Sequence, residues 1–89
     1  MSGFRGDLLL GGARLRALDG DLTEFPSGHE AVWAGEFRLT HDQANQVEVG
    51  RPYLLILDDG RGGKVELTDL ATEEDGQALA RFATPRLPR

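Results

Sequence analysis

The stretch from Arg51 to Thr68 most constrains what this chain can fold into. It contains the longest unbroken apolar run, Tyr53 to Leu57, followed by a glycine-rich reversal and a segment that alternates apolar with polar residues. A short apolar run bounded by turn residues is typical of a buried strand, and period-two alternation is typical of a half-buried one. The stretch therefore predicts a β-hairpin.

The register of this hairpin depends on whether its loop has an odd or an even number of residues. An odd loop, of three or five residues with a left-handed glycine, places Val65 and Leu67 with the odd-numbered apolar residues of the first strand. An even loop would place them with Leu54 and Ile56. We favour the odd loop because it concentrates large apolar side chains on one core face. That core face comprises Tyr53, Leu55, Leu57, Val65 and Leu67. Leu54 and Ile56 are then left on the second face, where they need a cover.

The rest of the chain predicts four more strands separated by turn residues. Gly11-Gly12 supplies the conformational freedom of a tight hairpin, and Asp19-Gly20 is a strong turn signal that would end the second strand. Proline and glycine lie close together in residues 21–30, so this segment, with Phe25 and His29, predicts a long loop. We expect strands at residues 4–10, 13–18, 31–39, 53–57, 64–68 and 77–83, and an acidic connection over 69–76.

Alternation also predicts which side chains face the core. The inward sets are Ala13, Leu15 and Ala17 in the second strand, Trp33, Gly35, Phe37 and Leu39 in the third, and Ala78, Ala80 and Phe82 in the last. Trp33 is thus predicted to be a core residue; the alternative is an exposed stacking platform. Gly35 lies between two aromatic residues, which predicts close packing or a bulge there.

These elements predict an all-β fold, a small barrel or a two-layer sandwich of about six strands. Thr40 to Gln43 matches a capping box, so one short helical turn is expected within residues 41–46. We expect residues 1–83 to form a single β-domain and residues 84–89 to form an extended C-terminal tail.

The chain has 89 residues and no cysteine. A chain of this length is expected to form one domain, and without thiols it can have neither disulfides nor thiolate–metal sites. No apolar run approaches the roughly 20 residues of a spanning helix. Leu8-Leu9-Leu10 is too short for the core of a signal peptide. We therefore expect a cytoplasmic protein that does not bind membranes.

The net charge of −5 is concentrated in one part of the chain. Residues 52–80 hold seven acidic and two basic side chains, a net −5, and the remainder holds eight of each, a net zero. Such a negative field repels phosphate backbones, so nucleic acid is not an expected partner. The ordinary role of exposed carboxylates is to keep a small domain in solution.

No motif in the chain predicts catalysis or cofactor binding. Gly62-Gly63-Lys64 resembles the end of a phosphate-binding loop, but Asp58 stands where that motif needs glycine and Val65 where it needs Ser or Thr. His29 and His41 come from separate segments, and two histidines without a third anchored ligand do not make a zinc site. The sequence therefore predicts no cofactor, no metal site and no enzyme.

The leading hypothesis is a non-catalytic protein-interaction or structural module, whose partner is another protein or further copies of this chain. The alternative is a small-ligand-binding regulatory β-barrel. We expect the contact surface on the face bearing Leu54 and Ile56 or on the 21–30 loop. The candidate contact residues are Leu54, Ile56, Phe25, His29 and Arg61.

Overall fold

The computed structural model describes residues 2–27, 30–73 and 75–85, which form six strands and one short helix. The elements are β1 (Ser2–Leu9), β2 (Arg14–Ser27), β3 (Glu30–Leu39), α1 (His41–Ala44), β4 (Pro52–Leu57), β5 (Gly62–Thr72) and β6 (Ala78–Ala83). The strands close into an antiparallel barrel in the order β1-β2-β3-β6-β5-β4, with β4 pairing back onto β1. The all-β prediction is confirmed, and of its two forms the barrel is the one adopted.

The β4–β5 hairpin has the predicted odd register. Tyr53 pairs with Val65, and a three-residue turn, 58–60, joins the strands. Gly60 has φ 95°, the left-handed conformation expected in that loop. The backbone N–H of Leu57 donates to the carbonyl oxygen of Arg61 at 2.7 Å and closes the turn. All five predicted core residues of the hairpin are therefore buried.

The core lies inside the barrel and is apolar. Sixteen hydrophobic residues are buried there, and no polar or charged side chain is buried in the part of the chain described. At its centre Phe37 stacks on Phe82, with ring centroids 5.5 Å apart. Trp33 is 6 % exposed, so the prediction of a core tryptophan is confirmed and the stacking platform is not formed. Within the described residues no helix is long and apolar enough to cross a membrane.

The close approach of β2 and β3 explains why two of their positions are occupied by glycine. A Cβ atom on Gly35 would overlap the carbonyl oxygen of Asp21, and one on Gly20 would overlap the carbonyl oxygen of Glu36. Gly35 pairs with Leu22 in the β2–β3 ladder, one position from Asp21. The close packing predicted at Gly35 is confirmed.

The predicted end of the second strand at Asp19-Gly20 is wrong, and so is the predicted loop over residues 21–30 in the part that the structure describes, 21–27 and 30. β2 runs on to Ser27 and β3 begins at Glu30, because Gly20 is used for close packing and has no left-handed φ. Pro26 is tolerated in this strand because its position needs no backbone N–H. Pro26 pairs with Ala31, two residues before Trp33. Trp33 turns both its backbone N–H and its carbonyl toward Thr84, away from β2. Hydrogen-bonded and non-hydrogen-bonded pairs alternate along an antiparallel ladder, so the backbone groups of Ala31 and Pro26 also point away from the partner strand. The missing proline N–H therefore removes no hydrogen bond from the β2–β3 ladder.

The inward set predicted for the second strand is only partly correct, because β2 contains a bulge. Leu15 and Leu18 are buried, whereas Ala17 is exposed. Gly6 pairs with Leu18 and Leu8 with Leu15, so two residues of β2 lie opposite Asp7. Ala17 adopts a left-handed φ of 56°, and its N–H donates to Oδ1 of Asp7 at 3.0 Å. The extra residue reverses the alternation and turns Leu18 inward.

The remaining differences concern element lengths. β5 extends to Thr72 across a second irregularity between Leu67 and Asp69, so the first half of the predicted acidic connection, residues 69–72, is strand. The capping box is confirmed: Thr40 Oγ1 accepts the Gln43 N–H, and the Gln43 side chain accepts the Thr40 N–H. The helix is shorter than the predicted segment. The inward residues of β6, Ala78, Ala80 and Phe82, are buried as predicted.

Candidate interaction surface

Leu54 and Ile56 lie on the outside of the barrel. Their strand neighbours face the core, so the pleat of β4 turns these two side chains outward. Leu54 is 41 % exposed and Ile56 is half-buried. Leu9 of β1 pairs with Leu54 and is itself half-buried. We call these three residues, Leu9, Leu54 and Ile56, the β4 ridge. The described part of the chain thus leaves Leu54 only partly covered.

The β4 ridge is bordered by charged side chains of both signs. On the β1 side Asp7 pairs with Ile56, and Arg14 pairs with Leu9. On the β5 side Lys64 pairs with Leu54, and Glu66 pairs with Pro52. The rim of the ridge is therefore Asp7, Arg14, Lys64 and Glu66, two acids and two bases. An apolar centre with a polar border is the arrangement typical of protein–protein contact patches.

Arg61 lies away from the ridge, where it ties the β4–β5 turn to β2. Its Nη1 is 2.7 Å from Oε1 of Glu24, and its Nε is 2.9 Å from Oδ2 of Asp59. The guanidinium carbon lies 6.0 Å from the centroid of the Trp33 ring, whose Nε1 donates to Glu24 Oε1 at 3.3 Å. Arg61 thus links the β4–β5 turn to Glu24 of β2 and to the ring of Trp33 in β3.

The same contacts shift the pKa values at this turn. The Arg61 backbone N–H, with its guanidinium in support, lowers the pKa of Asp59. The hydrogen bond and charge of Asp59 raise the pKa of Arg61. Both side chains are half-exposed, so the ion pair is a surface contact of small energy.

Phe25 is exposed on a different surface. It is 50 % exposed and lies on β2 beyond Leu22, the residue of β2 that pairs with the start of β1. Arg14, at the edge of the ridge, is eleven residues earlier on the same strand, which corresponds to roughly 35 Å of extended chain. Phe25 therefore lies past the part of β2 that pairs with β1 and is not among the residues of the ridge or its rim. His29 lies outside the described residues.

The other exposed features are less suited to an apolar contact. Val49, the third exposed large apolar residue, lies in the connection three residues before β4 begins. An open groove of about 600 Å³ is lined mainly by polar side chains: Arg38, Glu73, Asp75, Gln77 and Leu79. Among the residues placed in the structure, no group of three or more His, Asp or Glu side chains could hold a metal ion.

Of the four predicted contact residues that the structure describes, it brings only Leu54 and Ile56 together. Sequence reasoning missed Leu9 and the β1 side of the rim, Asp7 and Arg14, because their place beside the ridge depends on the β1–β4 pairing that closes the barrel. No local sequence pattern predicts the β1–β4 pairing. Comparison with known protein families, curated proteins and solved structures found no match to this chain.

Proposed function

We propose that this chain is a non-catalytic protein-interaction module that binds another protein chain through the β4 ridge. The observation that carries the proposal is the 41 % exposure of Leu54 on an outer strand face formed by aliphatic side chains. The opposite face of the same strand is fully used in the core. The strand is therefore apolar on both faces, although the barrel needs only one of them.

The energetics of the ridge support this function. Complete burial of a large aliphatic side chain contributes roughly 1.5–3 kcal/mol, and the exposed part of Leu54 still has much of that gain available. Residues at the centre of a contact patch, shielded by a polar border, contribute most to binding free energy. Leu54 has that position, because Leu9 flanks it on β1 and Lys64 flanks it on β5.

The alternative function, a small-ligand regulator, finds less support in the described residues. A barrel that encloses a ligand needs an interior cavity, whereas this interior is filled by sixteen buried apolar side chains. The groove beside Arg38 and Glu73 is open and mainly polar. Small-molecule sites are more often concave and apolar.

We expect Leu54→Asp to abolish association of the chain with its partner without unfolding it. The aspartate places a charge at the centre of the contact, while its side chain points away from the barrel interior. The measurement is native mass spectrometry of protein isolated from its source cell, with circular dichroism to check the fold. The matched control is Phe25→Asp, which introduces the same charge at another exposed large apolar residue.

The wild-type protein and Phe25→Asp should retain the complex, and Leu54→Asp should give a folded monomer. A complex that survives Leu54→Asp would contradict the proposed contact surface. So would a complex that Phe25→Asp disrupts, because the contact would then lie on the β2–β3 hairpin.

A further inference from the structure

The charge around the β4 ridge distinguishes it from the opposite outer face of the barrel. The ridge has a rim of two acids and two bases, a net charge of zero. Across β2, β3, β6 and β5 runs a row of paired outer residues with three acids and one base, a net charge of −2. That row is Asp21, Glu36, Arg81 and Asp69. A second copy of this chain, itself carrying −5, is repelled by the acidic row and tolerated by the neutral rim.

The order of charges along β5 makes the rim complementary to itself. Lys64 and Glu66 are two residues apart on the outer face of β5, a separation of about 6.8 Å. Consider two copies stacked face to face about a two-fold axis that lies between the two faces, runs perpendicular to these strands and passes midway between Lys64 and Glu66. The two-fold reverses the strand direction of the second copy, so Lys64 of each copy lies opposite Glu66 of the other. One local sequence thereby produces two ion pairs.

The same axis also places Leu54, the exposed residue of the ridge, against an apolar residue of the second copy. Leu54 pairs with Lys64 and Pro52 pairs with Glu66 within one barrel. When Lys64 faces Glu66 of the second copy, Leu54 must therefore face Pro52 of the second copy. On the other side of the ridge, Nη1 of Arg14 lies 3.7 Å from Oδ2 of Asp7 in the same chain, so these two side chains form a pair without net charge.

We propose that a second copy of this chain covers the β4 ridge, with Lys64 of each copy paired to Glu66 of the other about a two-fold axis. This inference rests on the proposed function and names its partner. The ridge, its rim and Pro52 amount to eight residues, fewer than the roughly 20–30 residues a side of a standard interface. The expected dimer is therefore weak, with a dissociation constant in roughly the micromolar range.

Charge reversal tests this arrangement in sedimentation equilibrium of the purified full chain. Lys64→Glu creates two like-charge contacts across the axis, and so does Glu66→Lys. Each single variant should raise the dissociation constant at least about tenfold. The double variant, with both substitutions, remakes both ion pairs with reversed polarity and should return to within about threefold of wild type. An equimolar mixture of the two single variants should form heterodimers. Arg38→Glu is the control, because it changes the net charge as Lys64→Glu does but lies on β3.

Each outcome decides the proposal. Loss in both single variants, with recovery in the mixture, supports it; if the double variant does not fold, the mixture is sufficient. A wild-type chain that stays monomeric at millimolar concentration overturns it, as does a mixture that fails to associate. If the monomeric chain instead binds a different protein, and Leu54→Asp abolishes that binding, the second copy is excluded while the proposed function stands. A monomer without any Leu54-dependent partner overturns both.

Discussion

Phe37→Ala is expected to lower the free energy of unfolding by about 3–5 kcal/mol. Phe37 is fully buried at the centre of the barrel and stacks on Phe82. Because strands surround it on all sides, the barrel cannot collapse far enough to fill the space left by the ring. For a small domain with a total stability of roughly 5–15 kcal/mol, this loss is a large fraction of the whole.

Urea unfolding followed by the fluorescence of Trp33 measures this effect. The midpoint should fall while the dependence on urea concentration stays constant, since the surface exposed on unfolding is nearly unchanged. Phe25→Ala is the matched control, because it removes the same ring from a position that is 50 % exposed. We expect it to change stability by less than about 0.5 kcal/mol. Similar losses in the two variants would contradict the placement of Phe37 in the core.

Gly35→Ala is expected to destabilise the barrel by about 3 kcal/mol, at the upper end of the usual cost of overpacking. The added methyl group would overlap the carbonyl oxygen of Asp21 and lie 3.0 Å from the Cα of Leu22. Both contacts are with backbone atoms, which cannot rotate away as a side chain can. β2 and β3 would have to separate at Gly35 to make room for the methyl group.

The control for this substitution is Gly12→Ala, also measured by urea unfolding. Gly12 has no left-handed φ, and a Cβ atom there would meet nothing within 4 Å. We expect that variant to be neutral or slightly more stable, because alanine restricts the unfolded chain. Equal destabilisation at both positions would mean that the cost at Gly35 does not come from strand contact.

The hairpin of β4 and β5 could be predicted well because its signals are local. The choice of an odd-numbered loop required only that Val65 and Leu67 share the core face of β4, and both residues are buried there. Phe37 and Phe82 were likewise placed in the core by alternation alone. The capping box at Thr40 is also local, because its two hydrogen bonds join residues three positions apart.

The course of β2 could not be predicted, because long-range contacts override its local signals. Gly20 reads as a turn residue, but its lack of a side chain serves the close approach of β3. Pro26 reads as a strand breaker, yet it occupies a position whose N–H is not needed in the β2–β3 ladder. The bulge at Ala17 has no sequence signature, since left-handed positions usually carry glycine.

The candidate site could be predicted only in part. The outward direction of Leu54 and Ile56 followed from the hairpin register, and the structure places both on the outer face. Their neighbours Leu9 and Asp7 are more than 40 positions away in sequence and meet them only through the closure of the barrel. Arg61 lies in the same hairpin but turns toward Glu24, so nearness in sequence was misleading there.

The central claim is that another polypeptide covers the β4 ridge, and site-specific photo-crosslinking at position 54 tests it most directly. A benzophenone amino acid replaces Leu54 in the full chain in its source cell, and in a second sample it replaces Phe25. Irradiation should crosslink the chain through position 54 to a second copy, giving an adduct of about twice 9.7 kDa, and position 25 should give no adduct. If position 54 gives no adduct, or position 25 gives the same one, the ridge is not the contact surface.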